Sequence, residues 1–190
     1  MTISSLWNNV VVFWDSILGK ITFAAIVIAI GLISMVIKNK KVKSMMKDGR
    51  FNDSKLFDSK IETPIVISKD GYIGIINDFS SKYSVINLKN INGMKIVFDD
   101  HDIISTKKDN TNTMLFQDIV AKINLKLQER VKNIYIIFEL EDGNNSIMKI
   151  LLYHYVSRRG SASVISDELQ VEIKQLLEEF ENTEKRIKSN

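Results

Sequence analysis

An uncharged run of 17 residues, 21–37 ("ITFAAIVIAIGLISMVI"), constrains this chain more than any other feature. Its only polar members are one threonine and one serine, whose hydroxyls can bond back to the backbone of a helix. Extending the run to residue 17 takes in Lys20 and gives 21 residues, which measure about 32 Å as an α-helix. That length matches the roughly 30 Å hydrocarbon core of a bilayer. We therefore predict a transmembrane helix over residues 17–37.

Two other interpretations of this run are weaker. A secretory signal peptide needs basic residues before its apolar region, whereas the first Lys or Arg of this chain is Lys20. No small-x-small cleavage site separates the run from the lysines that follow it. A buried helix of a soluble protein would seldom stay uncharged for so long. We expect the segment to be retained as an anchor.

The basic residues around the run predict its orientation. Lys20 precedes the uncharged run within one turn and can snorkel to the headgroups. Because Lys and Arg near a span are retained in the cytoplasm, we predict an inner-membrane protein with its N-terminus outside and residues 38–190 cytoplasmic. The same charges can touch anionic headgroups, which makes membrane lipid a predicted partner. The basic residues that follow the run are Lys38, Lys40, Lys41, Lys43, Lys47 and Arg50.

Residues 1–16 place apolar side chains at steps of three and four, the pattern of an amphipathic helix. Trp7 and Trp14 fall on the apolar face, and tryptophan favours the membrane interface. We predict an interfacial segment; an extension of the span into a bundle of identical helices and a disordered segment are the alternatives. Inside the span, a stripe of small residues permits close helix–helix contact and a homo-oligomer. That stripe is Thr22, Ala25 and Ala29.

The remaining chain predicts an α+β domain. Residues 38–60 form a basic juxtamembrane segment and a polar linker, since 51–62 is broken by Asn, Asp and Ser. Residues 61–190 form an antiparallel, curved sheet with a helical insertion, its open end covered by a C-terminal amphipathic helix. The predicted elements are a hairpin at Asp70-Gly71, strands over 83–99 with a turn at Asn92-Gly93, a helix over 114–131, a hairpin at Asp142-Gly143 and a helix over 167–187 capped by Ser166 or Asp167.

Four stretches of this domain carry a family resemblance: "PIVISKDGYIGIIN", "YSVINLKNINGMKIVFDD", "NIYIIFELED" and "EIKQLLEEFE". In order and spacing they resemble short bacterial membrane-anchored proteins with a pleckstrin-homology-like (PH-like) domain. The resemblance covers residues 61–187, and the predicted helix over 114–131 departs from the simplest form of such a domain. It implies a binding or assembly module without catalytic residues, and it transfers no functional residue to this chain.

The side chains that could perform chemistry are few. The chain has no cysteine, which excludes thiol nucleophiles and cysteine-ligated metals. His101 lies among Asp99, Asp100 and Asp102, but neighbouring residues on one turn rarely converge on a metal, so we interpret them as a solvated acidic turn. His154 has no Ser or Asp placed by sequence to form a dyad with it, so we interpret it as a sheet-face side chain.

Two charged stretches near the C-terminus have a functional and a plainer interpretation. Arg158 and Arg159, flanked by serines, could bind a phosphate or a lipid headgroup, although no phosphate loop is present. A flexible basic loop is the plainer interpretation. The carboxylates of the last helix are expected on its solvated side. They are Glu178, Glu179, Glu181 and Glu184.

The distribution of charge along the chain bears on whether the protein binds nucleic acid. Residues 1–50 hold seven Lys or Arg and two Asp, a net of +5, whereas the other 140 residues have a net of −2. A nucleic-acid-binding domain would carry its excess positive charge on the folded body, so we expect no nucleic-acid partner. We predict a single-pass membrane protein with a non-enzymatic binding or assembly domain, no cofactor, no small-molecule substrate, and a protein partner or homo-oligomer. The alternative is an oligomeric, membrane-perturbing effector of a bacterial defence or toxin-like system.

Overall fold

The computed structural model describes residues 17–76, 83–99, 101–108, 114–124, 126–141, 146–156 and 162–189. The chain divides into two compact units, Met1–Lys41 and Val42–Asn190. The segment predicted to be interfacial, residues 1–16, lies outside the described residues, and its amphipathic helix stays a prediction.

Helix α1, Ile17–Met46, contains the predicted span. It is the one helix among the described residues that is long and apolar enough to cross a membrane. Its large apolar side chains from Leu18 to Ile37 are 46–67% exposed in the single chain, so the interpretation as a buried core helix does not hold for one copy. The helix continues nine residues beyond Ile37 because lysine and methionine are good helix formers.

The second unit begins with a four-stranded antiparallel sheet, here called sheet 1, in the order β1-β2-β3-β4. The predicted hairpin at Asp70-Gly71 is confirmed. Gly71 has a φ of 86°, in the region that favours glycine. The strands are β1 Ser54–Phe57, β2 Ile65–Ser68, β3 Tyr72–Ile75 and β4 Ser84–Asn87.

The stretch 51–62, expected to be a polar linker, is instead built into the unit. β1 pairs with β2 in antiparallel register, and the side chains of Phe51, Phe57 and Ile61 are buried. These three apolar residues are spaced too irregularly to show a strand or helix period. The polar residues between them therefore favour a linker when the sequence is considered alone.

A second four-stranded antiparallel sheet, sheet 2, has the order β6-β5-β8-β9, and a two-stranded ribbon joins β7 to β10. The expected single curved sheet is therefore divided, whereas the α+β class and the antiparallel pairing are confirmed. The strands are β5 Ile91–Phe98, β6 His101–Lys107, β7 Arg130–Val131, β8 Asn133–Leu140, β9 Ile147–His154 and β10 Ser163–Val164.

The turn predicted at Asn92-Gly93 was wrong. Both residues lie inside β5, at an irregularity in its pairing with β8. The chain turns earlier, in a 3-10 helix, Leu88–Asn90, where the Asn87 side chain accepts the Lys89 N–H. An Asn-Gly pair suits a bulge as well as a turn, because glycine tolerates the irregular backbone that both require.

The continuous helix predicted over 114–131 was also wrong. The structure has a short helix α2, Ile119–Ile123, and a 3-10 helix, Lys126–Gln128, before β7. Asp118 takes a left-handed φ of 55°, which stops a helix from extending back through it. The apolar positions that suggested the longer helix are nevertheless buried, namely Leu115, Phe116, Ile119, Ile123, Leu127 and Val131.

The predicted C-terminal helix is confirmed as α3, Asp167–Ser189. The Ser166 hydroxyl accepts the Leu169 N–H at 3.3 Å, as a helix cap does. The predicted apolar stripe of α3 is buried in the main core between the two sheets. Within it, the Phe180 ring stacks on Phe116 at 4.9 Å between centroids and meets Phe138 edge-on at 5.8 Å.

Two carboxylates of α3 are buried beside that stripe, and the prediction that Glu184 is solvated was wrong. Glu184 is 3% exposed and accepts the N–H groups of Leu115 and Phe116, each at 2.9 Å. Glu172 is 9% exposed and accepts the N–H groups of Ser59, Lys60 and Ile61. Each carboxylate thus supplies the acceptors for backbone amides of a distant loop.

Replacing Glu184 with alanine is expected to destabilise the domain by about 3 kcal/mol, because two buried N–H groups lose their charged acceptor. The exposed Glu178→Ala on the same helix is the control and should change stability by no more than about 0.5 kcal/mol. Urea unfolding of the full chain in detergent, followed by circular dichroism, measures both. Equal stability of the two variants would contradict this role of Glu184.

Candidate functional site

The segment that joins α1 to sheet 1, residues 42–51, is packed into the domain and is here called the junction. Met45 and Phe51 are buried in a small hydrophobic cluster with Val66 and Ile76, separate from the main core. Val42, near the end of α1, packs against the same cluster. The last turn of α1 therefore belongs to the hydrophobic structure of the domain.

The cluster is built on the outer side of sheet 1. One row of directly paired residues runs across all four strands, Leu56, Val66, Gly74 and Val85. Three members of this row pack in the cluster, and the fourth is a glycine. The adjacent positions on β2, Ile65 and Ile67, point into the main core, so this strand is buried on both sides.

Gly74 makes room for the junction. A Cβ atom at this position would lie 2.8 Å from Cζ of Phe51 and closer still to Sδ of Met45. A glycine inside a strand often marks such a close approach. The two junction side chains fill the space that a side chain on β3 would occupy.

A polar network fixes the junction at its far end. Asp48 Oδ2 accepts Tyr83 Oη–H at 2.9 Å and Arg50 Nη2–H at 2.6 Å. The hydrogen bonds from Arg50, and next that from Tyr83, hold the pKa of Asp48 well below its usual range. The bond to Asp48, assisted by burial, raises the pKa of Tyr83. Arg50 is thus engaged in an ion pair within the protein.

The lysines of α1 divide between two sides of the helix. Lys40 and Lys43 are exposed on one side of α1, and the exposed Lys47 follows directly after the helix end, four residues beyond Lys43. Val42 and Met45 lie on the opposite side by the same periodicity. Lys38 and Lys41 are half-buried, and Lys20 is exposed near the other end of α1. The exposed three form a basic stripe immediately after the apolar run.

The small residues of the predicted helix–helix contact lie on α1, and the contact itself stays a prediction. Thr22, Ala25 and Ala29 are exposed in the single chain and share one side of the helix. The Thr22 hydroxyl donates to the Leu18 carbonyl at 2.8 Å and so has its partner within α1. The predicted interfacial tryptophans, Trp7 and Trp14, lie outside the described residues.

Two of the polar residues weighed for chemistry, Asp99 and His154, form hydrogen bonds within the domain. Asp99 accepts the N–H groups of Lys132 and Asn133 at 2.8 and 2.9 Å, and His101 is exposed. His154 is exposed and hydrogen-bonded to the Asn133 side chain. Among the described residues, no group of three His, Cys, Asp or Glu could hold a metal ion. The predicted phosphate contacts are outside the described residues; they are Arg158 and Arg159.

Sequence reasoning missed the junction. Its one detectable signal was Gly74 within the strand pattern "GYIGIIN", because glycine weakens a strand unless another group approaches closely. Comparisons of the chain with protein-family models, curated proteins and solved structures returned no match. The function must therefore be inferred from the chain's own residues.

Replacing Gly74 with valine is expected to destabilise the domain by about 2 kcal/mol, because Met45 and Phe51 must move off β3. Hydrogen exchange over residues 42–51 should accelerate at the same time. Gly49→Ala is the matched control, since a Cβ at Gly49 meets nothing within 4 Å. Unchanged exchange in Gly74→Val would show that the junction does not depend on this glycine.

Acid should weaken the polar network of the junction. The pKa of Asp48 is lowered in the folded state, so its stabilising contribution is present above the unfolded value of about 4 and is lost as pH falls below it. The stability difference between wild type and Asp48→Asn should therefore be larger at pH 7 than at pH 3. Urea midpoints at both pH values measure it, and a difference that grows on acidification would contradict the assignment.

Proposed function

We propose that this chain is a single-pass membrane protein that presents a non-enzymatic binding or assembly domain at the cytoplasmic face of the inner membrane. One observation carries the proposal: within α1 an exposed apolar run passes directly into a basic stripe, and the helix end is buried in the domain's own hydrophobic cluster. Along its length, such a helix presents apolar side chains to lipid, then lysines to the headgroups, and finally apolar side chains to the domain.

The basic stripe supports the orientation and the lipid contact. Lys40, Lys43 and Lys47 follow the apolar run, whereas Lys20 is the one described basic residue at its other end. This asymmetry favours a cytoplasmic domain. Each lysine near an anionic surface contributes about 1 kcal/mol of attraction.

A PH-like domain is the finer form of the proposal. Antiparallel sheets closed by the C-terminal helix α3 support it. The placement of β5 between β6 and β8 is a departure from a simple meander.

Membrane extraction and cysteine labelling test the proposal together. The full chain should resist alkaline carbonate extraction, whereas a chain lacking residues 1–41 should be soluble; the truncation stops there because Met45 is buried in the domain. The chain has no cysteine, so Ser5→Cys and Val171→Cys report each side separately. An impermeant maleimide applied to spheroplasts should label Ser5→Cys alone.

Labelling of Val171→Cys in intact spheroplasts, or release of the full chain by carbonate, would overturn the proposal. A signal sequence would also be detected, because the mature chain would then lack residue 5 and resist labelling. Labelling after lysis is the control for reactivity of each cysteine.

A membrane-perturbing effector is the second candidate, and the exposed small-residue stripe of α1 favours it. Close packing of several such helices could disturb the bilayer. Release of a trapped dye from liposomes that contain the full chain would support this candidate. Replacing Ala25 and Ala29 with leucine should then abolish release, while dye retention at all protein densities would exclude it.

A further inference from the structure

The side of sheet 2 that faces away from the main core is a mixed apolar and basic surface. Alternate residues of its strands are fully buried, among them Ile96, Ile136 and Ile150. The residues between them are half-buried or exposed, except Gly93 and Val97 on β5, which are buried. We call the surface formed by two adjacent rows the basic sheet face. Its rows are Lys107, Gly93, Glu139 and Ile147, and Ser105, Lys95, Ile137 and Lys149.

The basic sheet face has the composition of a binding surface. Three lysines accompany one carboxylate, Glu139, which pairs with Lys95 at 3.9 Å. Ile147 is 69% exposed, and the neighbouring row continues the apolar surface with Tyr135 and Leu151. The Lys149 ammonium lies 3.7 Å from the centroid of the Tyr135 ring. Asp102 occupies the edge position of that neighbouring row. A surface on which apolar side chains alternate with lysines fits an acidic partner.

An acidic surface of complementary character lies on the same domain. The groove between α2 and α3, here called the acidic groove, is lined by three carboxylates, one lysine, one asparagine and two apolar side chains. Glu181 also pairs with Lys185 at 2.6 Å on its rim. The lining residues are Asp118, Val120, Ala121, Asn124, Lys174, Glu178 and Glu181.

The two surfaces cannot meet within one chain. The inner side of sheet 2 packs on α3 through Phe138 and Phe180, and the basic sheet face is the opposite side of that sheet. The acidic groove is lined by positions of α3 that lie away from its buried stripe. The core therefore separates the two surfaces, and only two copies can bring them together.

We propose that the basic sheet face of one copy binds the acidic groove of a second copy. The contact is head-to-tail, so each bound copy leaves one surface of each kind open, and association can continue into rings or rows. This self-association rests on the proposed function, because confinement to one membrane raises the effective concentration of the domains. The proposal thus gives the assembly role a partner, which is the chain itself.

Charge reversal on the two surfaces tests the contact. The sheet variant is Lys107→Glu with Lys149→Glu, and the groove variant is Glu178→Lys with Glu181→Lys. Full chains carrying a dye on Glu62→Cys are placed in phosphatidylcholine liposomes, and energy transfer between donor- and acceptor-labelled copies reports association. Each variant alone should associate at least about tenfold more weakly than wild type, because like charges then face each other.

Energy transfer in a mixture of the sheet variant and the groove variant is the decisive measurement. The intact groove of the sheet variant still fits the intact face of the groove variant, and the reversed surfaces are again opposite in charge, so an equimolar mixture should recover association. Lys69→Glu with Lys89→Glu makes the same charge change elsewhere and should associate like wild type. Recovery on mixing is specific to a head-to-tail contact between these two surfaces.

Several outcomes would overturn the proposal. They are association of the groove variant alone at wild-type strength, no recovery in the mixture of folded variants, and wild-type association only when the liposomes contain phosphatidylglycerol, which would make anionic lipid the occupant. Circular dichroism verifies folding. If a reversal unfolds the chain, the glutamine versions of both variants replace it, and their mixture should form pairs.

Flotation of the same liposomes separates this proposal from the proposed function. Wild type that floats without energy transfer overturns the self-association alone. Wild type that does not float overturns the membrane anchor, and sedimentation of the same variants and their mixture in detergent then decides the self-association.

Discussion

A buried carboxylate is tolerated only where hydrogen bonds replace its lost hydration, and backbone amides in loops need acceptors that no strand or helix provides. Glu172 and Glu184 meet both requirements at once. Through them α3 fixes the segment after β1 at one place and the segment before α2 at another. The apolar stripe of α3 covers the core, while these two contacts determine how the surrounding loops close over it. The Glu184 contact also holds the segment that leads into Asp118 of the acidic groove.

The junction poses a different problem, because the side chains of α1 change in character along the helix. Along α1 the side chains change from apolar to basic, and then Met45 enters a protein interior. Met45 can be buried there because Gly74 leaves space on β3. Just beyond the helix end, Asp48 accepts hydrogen bonds from Arg50 and Tyr83. Side-chain packing, in addition to the covalent backbone, thus attaches the domain to α1.

Periodic features could be predicted from the sequence, and features that depend on distant partners could not. The long apolar run, the hairpin at Gly71 and the stripe of α3 repeat a local pattern, so the sequence predicts them directly. Glu184 belongs to the same run of carboxylates as the exposed Glu178, and the amides of Leu115 and Phe116, 69 and 68 residues away, distinguish it. The prediction of a continuous helix over 114–131 was wrong for the same reason, because tertiary contacts outweighed the helical spacing of its apolar residues. The junction residues carry no motif, and Gly74 alone hinted at a close approach.

The burial of β2 on both sides has a consequence for the order of folding. Its outer side is covered by residues 42–51 and its neighbours in sheet 1, all close in sequence, so this part can close as soon as residue 85 has been synthesised. The inner side needs α3, whose Glu172 binds amides 111 to 113 residues earlier in the chain. We expect the domain to form outward from the helix end, with sheet 1 first and α3 last. A nascent chain would then hold a half-covered sheet until its final helix is complete.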